Sequence, residues 1–195
     1  GAFGVRAVTV PLYATSSEAQ VHYILEDAQI RYLFVGEQQQ YDVAFRVMAL
    51  SSTLKQIVVF DRDVKLDARD ESTIYFDDFL KMGEKRQHQA EVDQRTAESD
   101  TEDLMNILYT SGTTGESKGV MLSHAGYEAV MDAHIDRFPG FNENDVVINF
   151  LPFTHVFERA FSCWCLCVGA EMNINLRPQD IQMTIKEVRP TVMCS

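Results

Sequence analysis

The chain has 195 residues, of which 46% are hydrophobic and 24% charged, enough for one sizeable core or two smaller ones in a folded globular protein. Its formal net charge of -12 excludes nucleic acid and anionic membrane surfaces as general partners, since neither gains from meeting a like-charged protein. No signal-peptide pattern opens the chain, and the longest apolar run, Ala160 to Ala170, is too short to cross a bilayer, so no transmembrane segment is expected.

In chain order, a strand is predicted at Val8 to Tyr13, followed by a helix start. Ser17 and Gln20 make a capping box, and Val21, Ile24, Leu25 and Ala28 recur on one helical face. Tyr32 to Val35 reads as a strand, Tyr41, Phe45 and Met48 sit at helical spacing, and Ile57 to Phe60 reads as the next strand. Strand alternating with helix is the rhythm of an α/β fold with parallel sheets flanked by helices. From Asp61 to Asp103 the pattern weakens. Fourteen acidic and seven basic residues there predict a solvated surface, with one amphipathic helix near Phe76 to Arg86. Residues 1–75 thus read as a first α/β segment, 76–103 as an acidic, partly mobile connection, and 104–195 as a second α/β segment.

In that second segment Ser123 can cap a helix running to about Arg137, and strands are predicted at Val146 to Phe150 and Glu171 to Leu176. Pro178 opens a last helix carrying Ile181, Ile185 and Val188, and Pro190 closes it. Thr191 to Ser195 starts another apolar strand. With no initiator methionine and an unpaired strand at its end, the chain is expected to be a piece of a longer protein. The cysteines Cys163, Cys165 and Cys167 alternate, yet on a helix Cys165 points away from the other two and no zinc-like spacing flanks them. They read as small buried hydrophobes and, without a secretion signal, as reduced thiols of a cytoplasmic protein; no metal site is predicted.

The stretch Tyr109 to Gly119, YTSGTTGESKG, is the most informative. It follows a near-continuous apolar run, Leu104 to Tyr109, which suits a buried strand. Glycines at 112, 115 and 119 let the backbone turn its amides inward, and such a nest with Ser/Thr hydroxyls suits phosphate oxygens, with Lys118 as the one mobile positive charge. A flexible surface linker has a similar composition, but linkers are seldom wedged between two apolar segments. Nor is this the P-loop of NTPases, because Lys118 lies between Ser117 and Gly119 instead of between glycine and a hydroxyl residue.

The longer run YTSGTTGESKGVMLSH resembles the phosphate-loop signature of the adenylate-forming superfamily, which includes acyl-CoA synthetases, peptide-synthetase adenylation domains and luciferases. One departure is Ser117, where many members carry proline. The segment NFLPFTHVFER, Asn149 to Arg159, resembles that superfamily's next motif in the form closest to long-chain fatty acyl-CoA synthetases. The resemblance implies a partial N-terminal domain whose parent activates a fatty acid with ATP to acyl-adenylate and pyrophosphate, then passes the acyl group to coenzyme A.

It also implies that Thr110, Ser111, Gly112, Thr113, Thr114, Gly115 and Lys118 hold the ATP phosphates, aided by Mg2+, because one lysine cannot neutralise a polyphosphate. His155 is implied as the catalytic residue at the mouth of the acyl pocket, near the substrate carboxylate, with Phe153 and Glu158 beside it; Arg159 reads as structural. Phe153, Phe157, Phe161 and Trp164 can line an acyl tunnel or simply fill the core. The partners implied are ATP, a fatty acid and CoA, and peripheral membrane contact by the parent stays open. The isolated piece is expected to be inactive. Alternatives are a short-chain CoA ligase, a peptide-synthetase adenylation domain, or a non-catalytic nucleotide-binding module.

Overall fold

Parallel strands with short crossovers organise both halves of the chain in the computed structural model, which describes residues 1–110 and 117–194. The chain divides into two compact units, Gly1–Ser99 with Tyr109–Gly119, and Asp100–Leu108 with Val120–Ser195.

In the first unit, helix α1 (Glu18–Asp27) starts at the predicted capping box. Ser17 Oγ accepts from the Gln20 amide at 3.3 Å, and Gln20 Oε1 accepts from the Ser17 amide at 2.9 Å. Strands β1 (Tyr32–Val35), β2 (Gln56–Val59) and β3 (Thr73–Tyr75) form a parallel sheet in the order β1-β2-β3. Helix α2 (Gln38–Met48) packs on β1 and β2, and α1 packs on α2. The core between these layers is apolar, with Leu25, Ile57 and Val59 all 0% exposed. Burying one such side chain contributes roughly 1.5–3 kcal/mol. The one large polar member, Tyr41, donates its hydroxyl to Asp70 Oδ2 at 2.7 Å and accepts from the Asp67 amide at 2.9 Å, so its ring is buried without orphaning its oxygen. Glu26 ties the end of α1 to the α2–β2 connection by accepting from Ser51 Oγ, Ser52 Oγ and the Ser52 amide, and these donors hold its carboxyl at about 2.

Helices α3 (Phe76–Gly83) and α4 (Gln89–Ala97) complete this unit. Strands β4 (Leu104–Thr110) and β5 (Lys118–Ser123) pair with each other. In the second unit, Ser123 caps helix α5 (His124–Arg137) by accepting from the Gly126 amide at 3.3 Å. Strand β6 (Val146–Asn149), helix α6 (Val156–Val168), strand β7 (Glu171–Ile174), helix α7 (Ile181–Val188) and strand β8 (Val192–Met193) follow. The sheet order is β7-β6-β8, all parallel, with β6 central. The connection through α6 from β6 to β7 and the connection through α7 from β7 to β8 therefore run in opposite directions across the sheet. Gly169, at φ 78°, ends α6 in the left-handed conformation and lets the Ala170 amide reach back to the Cys165 carbonyl at 3.0 Å.

Three expectations from the sequence change. The strand at Val8 to Tyr13 reduces to a single bridge residue, Thr9, because Pro11 has no amide to give a ladder. Among the elements the sequence pattern missed are α4, which buries no residue and so carries no apolar stripe, β3, too short to show alternation, and β5, Lys118–Ser123. The helix opened by Pro178 is a 3-10 turn over Pro178–Asp180 before α7. No helix among the described residues is long and apolar enough to cross a membrane.

Candidate functional site

Two places carry the residues singled out in the sequence. The first is the outer end of β4 and β5. Thr110 is the last residue of β4 and Lys118 the first of β5; both are exposed, and pairing of the two strands brings these ends into one sheet. Ser111, Gly112, Thr113, Thr114 and Gly115 lie outside the described residues. Just before Thr110, Tyr109 donates its hydroxyl to Asp27 Oδ2 at 2.5 Å and sets its ring edge-on to Tyr23, with centroids 6.3 Å apart. Burial of Tyr109, and the Asp27 carboxylate beside it, push the hydroxyl well above its ordinary pKa, so it stays a donor.

The second place is the carboxyl end of β6, where ligands bind in open parallel sheets. His155 is the N-cap of α6, and its Nδ1 accepts from the Phe157 amide at 3.4 Å, which leaves Nε2 to carry the proton of a neutral ring. The turn before it is held by the His155 amide donating to the Pro152 carbonyl at 2.9 Å and by Arg159 Nε donating to the Phe153 carbonyl at 2.5 Å. Arg159, which reads as structural in the sequence, is here tied to the backbone of that turn. The Phe153 side chain is exposed, at 40%.

Glu158 is placed differently from its neighbours. Only 1% exposed, its Oε1 accepts from Asn149 Nδ2 at 2.7 Å. The same amide nitrogen donates to Ser162 Oγ at 2.8 Å, and Ser162 Oγ donates to the Glu158 carbonyl at 2.7 Å. This buried trio pins the last residue of β6 to the first turns of α6. Burial raises the Glu158 carboxyl above the ordinary range, with the Asn149 hydrogen bond opposing that shift. Asn149 Oδ1 and Thr154 Oγ1 are buried with no hydrogen-bond partner among the described residues. Sequence reasoning passed over Asn149 and Ser162; the available signal was a polar residue closing the apolar strand VVIN.

Of the aromatic cluster, Phe161 and Trp164 belong to the core, where Trp164 meets Phe141 at 4.3 Å, whereas Phe153 and Phe157 are exposed. The cysteines divide in the same way. Cys165 is fully buried, which pushes its thiol up to about 12, while Cys167 on the other side of the helix is exposed, so the small-hydrophobe reading fails there. No group of three or more His, Cys, Asp or Glu suited to a metal ion occurs among the described residues.

Known proteins match this arrangement over nearly all of the chain. Long chain acyl-CoA synthetase 5 of Arabidopsis thaliana is 30% identical over 199 residues, covering 95% of this chain and 28% of its own length. Among solved structures, an anthranilate CoA ligase in complex with anthranoyl-AMP superposes with a TM-score of 0.70 at 22% identity, over 96% of this chain and 35% of its own. ATP-bound MatB from Rhodopseudomonas palustris does so at 0.65 and 23% identity, over 96% and 34%. At these identities the structures speak for the fold. The chain spans little more than a quarter of the length of the curated relative. Residues 1–195 match the family described as AMP-binding enzyme, and the chain belongs to that family.

Proposed function

We propose that this chain is part of a long-chain fatty acyl-CoA ligase that uses ATP, the observation carrying the reading being the 30% identity to a long chain acyl-CoA synthetase across 95% of the chain. In the first step a carboxylate oxygen of the fatty acid attacks the α-phosphorus. The bond from that phosphorus to the bridging oxygen breaks, and its electron pair leaves with pyrophosphate. Thr110 and Lys118, with Ser111, Gly112, Thr113, Thr114 and Gly115 between them, hold the departing phosphates, so that growing negative charge meets fixed donors. A divalent cation such as Mg2+, bound with the nucleotide, would supply further charge neutralisation beside Lys118. The acyl carbon then passes from AMP to the thiol of coenzyme A.

His155 is the catalytic residue of this reading. Its Nε2–H suits donation to the fatty acid carboxylate from the end of β6, and the exposed Phe153 ring borders the same mouth. The buried trio gives Glu158 a holding role, in place of contact with the substrate, that keeps His155 at the start of α6. The setting is cytoplasmic, the partners are small molecules rather than nucleic acid, and the isolated 195-residue chain is inactive because it spans only 28% of its relative.

ATP/pyrophosphate exchange by the full-length protein tests this reading against a panel of acids. Exchange stimulated by palmitate and not by benzoate, malonate or amino acids is expected, and the reverse preference overturns it. Replacing both Thr113 and Thr114 by alanine should lower exchange about a hundredfold, equivalent to about 3 kcal/mol of lost charge stabilisation. Undiminished exchange removes the phosphate role.

A further inference from the structure

We propose that Asp27 and Tyr109 form a latch that sets the end of β4, making both of them positioning residues for phosphate binding by Thr110 and Lys118. The inference rests on the acid-activation reading above. Tyr109 is the residue immediately before Thr110, and both of its chemical parts are held by one helix. Its hydroxyl donates to Asp27, the last residue of α1, and its ring stands at 87° to that of Tyr23, one turn earlier on α1. The helix end is itself fixed, because the neighbouring Glu26 is bound to Ser51 and Ser52. A strand end held at two points on an anchored helix has little freedom to swing.

The bond does no packing work. Asp27 is exposed, and neither Asp27 nor Tyr109 belongs to a buried core cluster. What it fixes is the direction in which β4 delivers Thr110. Because β4 pairs with β5, it also fixes the strand that begins with Lys118. A donor that must be ordered before it can hold a phosphate oxygen binds that oxygen less tightly, so a hydrogen bond that removes such play is felt in the affinity for MgATP without touching the substrate. Asp27 lies more than 80 positions before the loop and outside both motifs, so the sequence offers no sign of this part.

The test uses the full-length ligase with palmitate, MgATP and CoA. Tyr109→Phe keeps the ring against Tyr23 and removes only the donor; Asp27→Ala removes the acceptor. Each should raise the KM for MgATP about tenfold and leave the KM for palmitate and the thermal midpoint unchanged. Asp27→Asn, whose amide oxygen still accepts from the hydroxyl, should restore MgATP KM to within about threefold of the parent. The double variant should be no worse than the weaker single, since either change alone empties the bond. MgATP KM values equal to the parent's in both single variants overturn the latch, as does an equal rise in both KM values. Asp27→Ala, at an exposed site, carries the test even where Tyr109→Phe folds poorly. Lys118→Ala reads the underlying function separately: unchanged MgATP kinetics there removes the phosphate role, and the latch with it.

Discussion

The two parallel sheets have the same layered construction and opposite interiors. Around β2 the core is largely aliphatic: its one buried tyrosine, Tyr41, has both hydrogen-bond needs met by Asp70 and Asp67, and Thr73 Oγ1 is its single buried side-chain atom without a partner among the described residues. Around β6 the interior holds Asn149, Glu158 and Ser162, and it leaves Asn149 Oδ1, Thr154 Oγ1 and Trp164 Nε1 without partners among the described residues. Apolar burial is non-directional and asks for no particular geometry, so the first sheet serves as scaffold. Buried polar groups cost free energy unless a specific arrangement satisfies them, and that directionality ties β6 and α6 to one turn and one position for His155.

The largest effect expected from this contrast is in the apolar sheet. Ile57→Ala leaves a cavity that nothing polar can fill and should cost about 2–5 kcal/mol by urea unfolding, with no selective change in KM. A loss below 1 kcal/mol would break the comparison from that side. Next comes the polar sheet. Asn149→Leu takes the donor from Glu158 and should cost about 1–3 kcal/mol. The Asn149→Leu/Glu158→Met double variant should recover part of that stability while its fatty-acid-dependent exchange stays impaired, because an apolar pair needs no partner but no longer fixes the turn. Full recovery of activity with stability would reduce the trio to packing.

The smallest and most discriminating effect is the response to pH, which should have opposite sign in the two sheets. Glu26 is held below its ordinary value, so its contribution is present above an unfolded pKa near 4.5 and is lost as pH falls towards about 2. Glu158 is raised. Its folded form keeps the proton that the unfolded chain releases, so it costs nothing below about 4.5 and becomes destabilising as pH climbs through the ordinary carboxyl range. Urea midpoints measured across pH should lose the acid-side slope in Glu26→Gln and gain stability at neutral pH in Glu158→Gln. Parallel profiles in the two variants would contradict the assignment.

Much of this was legible in the chain. Period and punctuation located α1 at its Ser17 cap, β1 to the residue and α5 at Ser123, because those signals are local and the residues that make them are neighbours. They failed at Val8 to Tyr13, where Pro11 has no amide to give a ladder, and at α4, a helix with no buried face to leave a periodic trace. In the candidate site the motifs pointed to Thr110, Lys118 and His155 but treated Glu158 as a group facing substrate. Nothing in HVFER distinguishes a glutamate turned outward from one turned in towards Asn149, nine residues earlier.

By itself, then, the sequence determined most of the segments that become strands and helices and the alternation that makes the two three-stranded sheets parallel. Tertiary structure alone decided which polar side chains are buried, that Asn149 donates to the Glu158 carboxyl, and that Asp27 reaches Tyr109 across 82 positions. The physical reason lies in range. Propensity, capping and periodicity act over a few residues, whereas a hydrogen bond between distant groups exists only after the backbone has closed the loop between them, at an entropic cost that local sequence does not record.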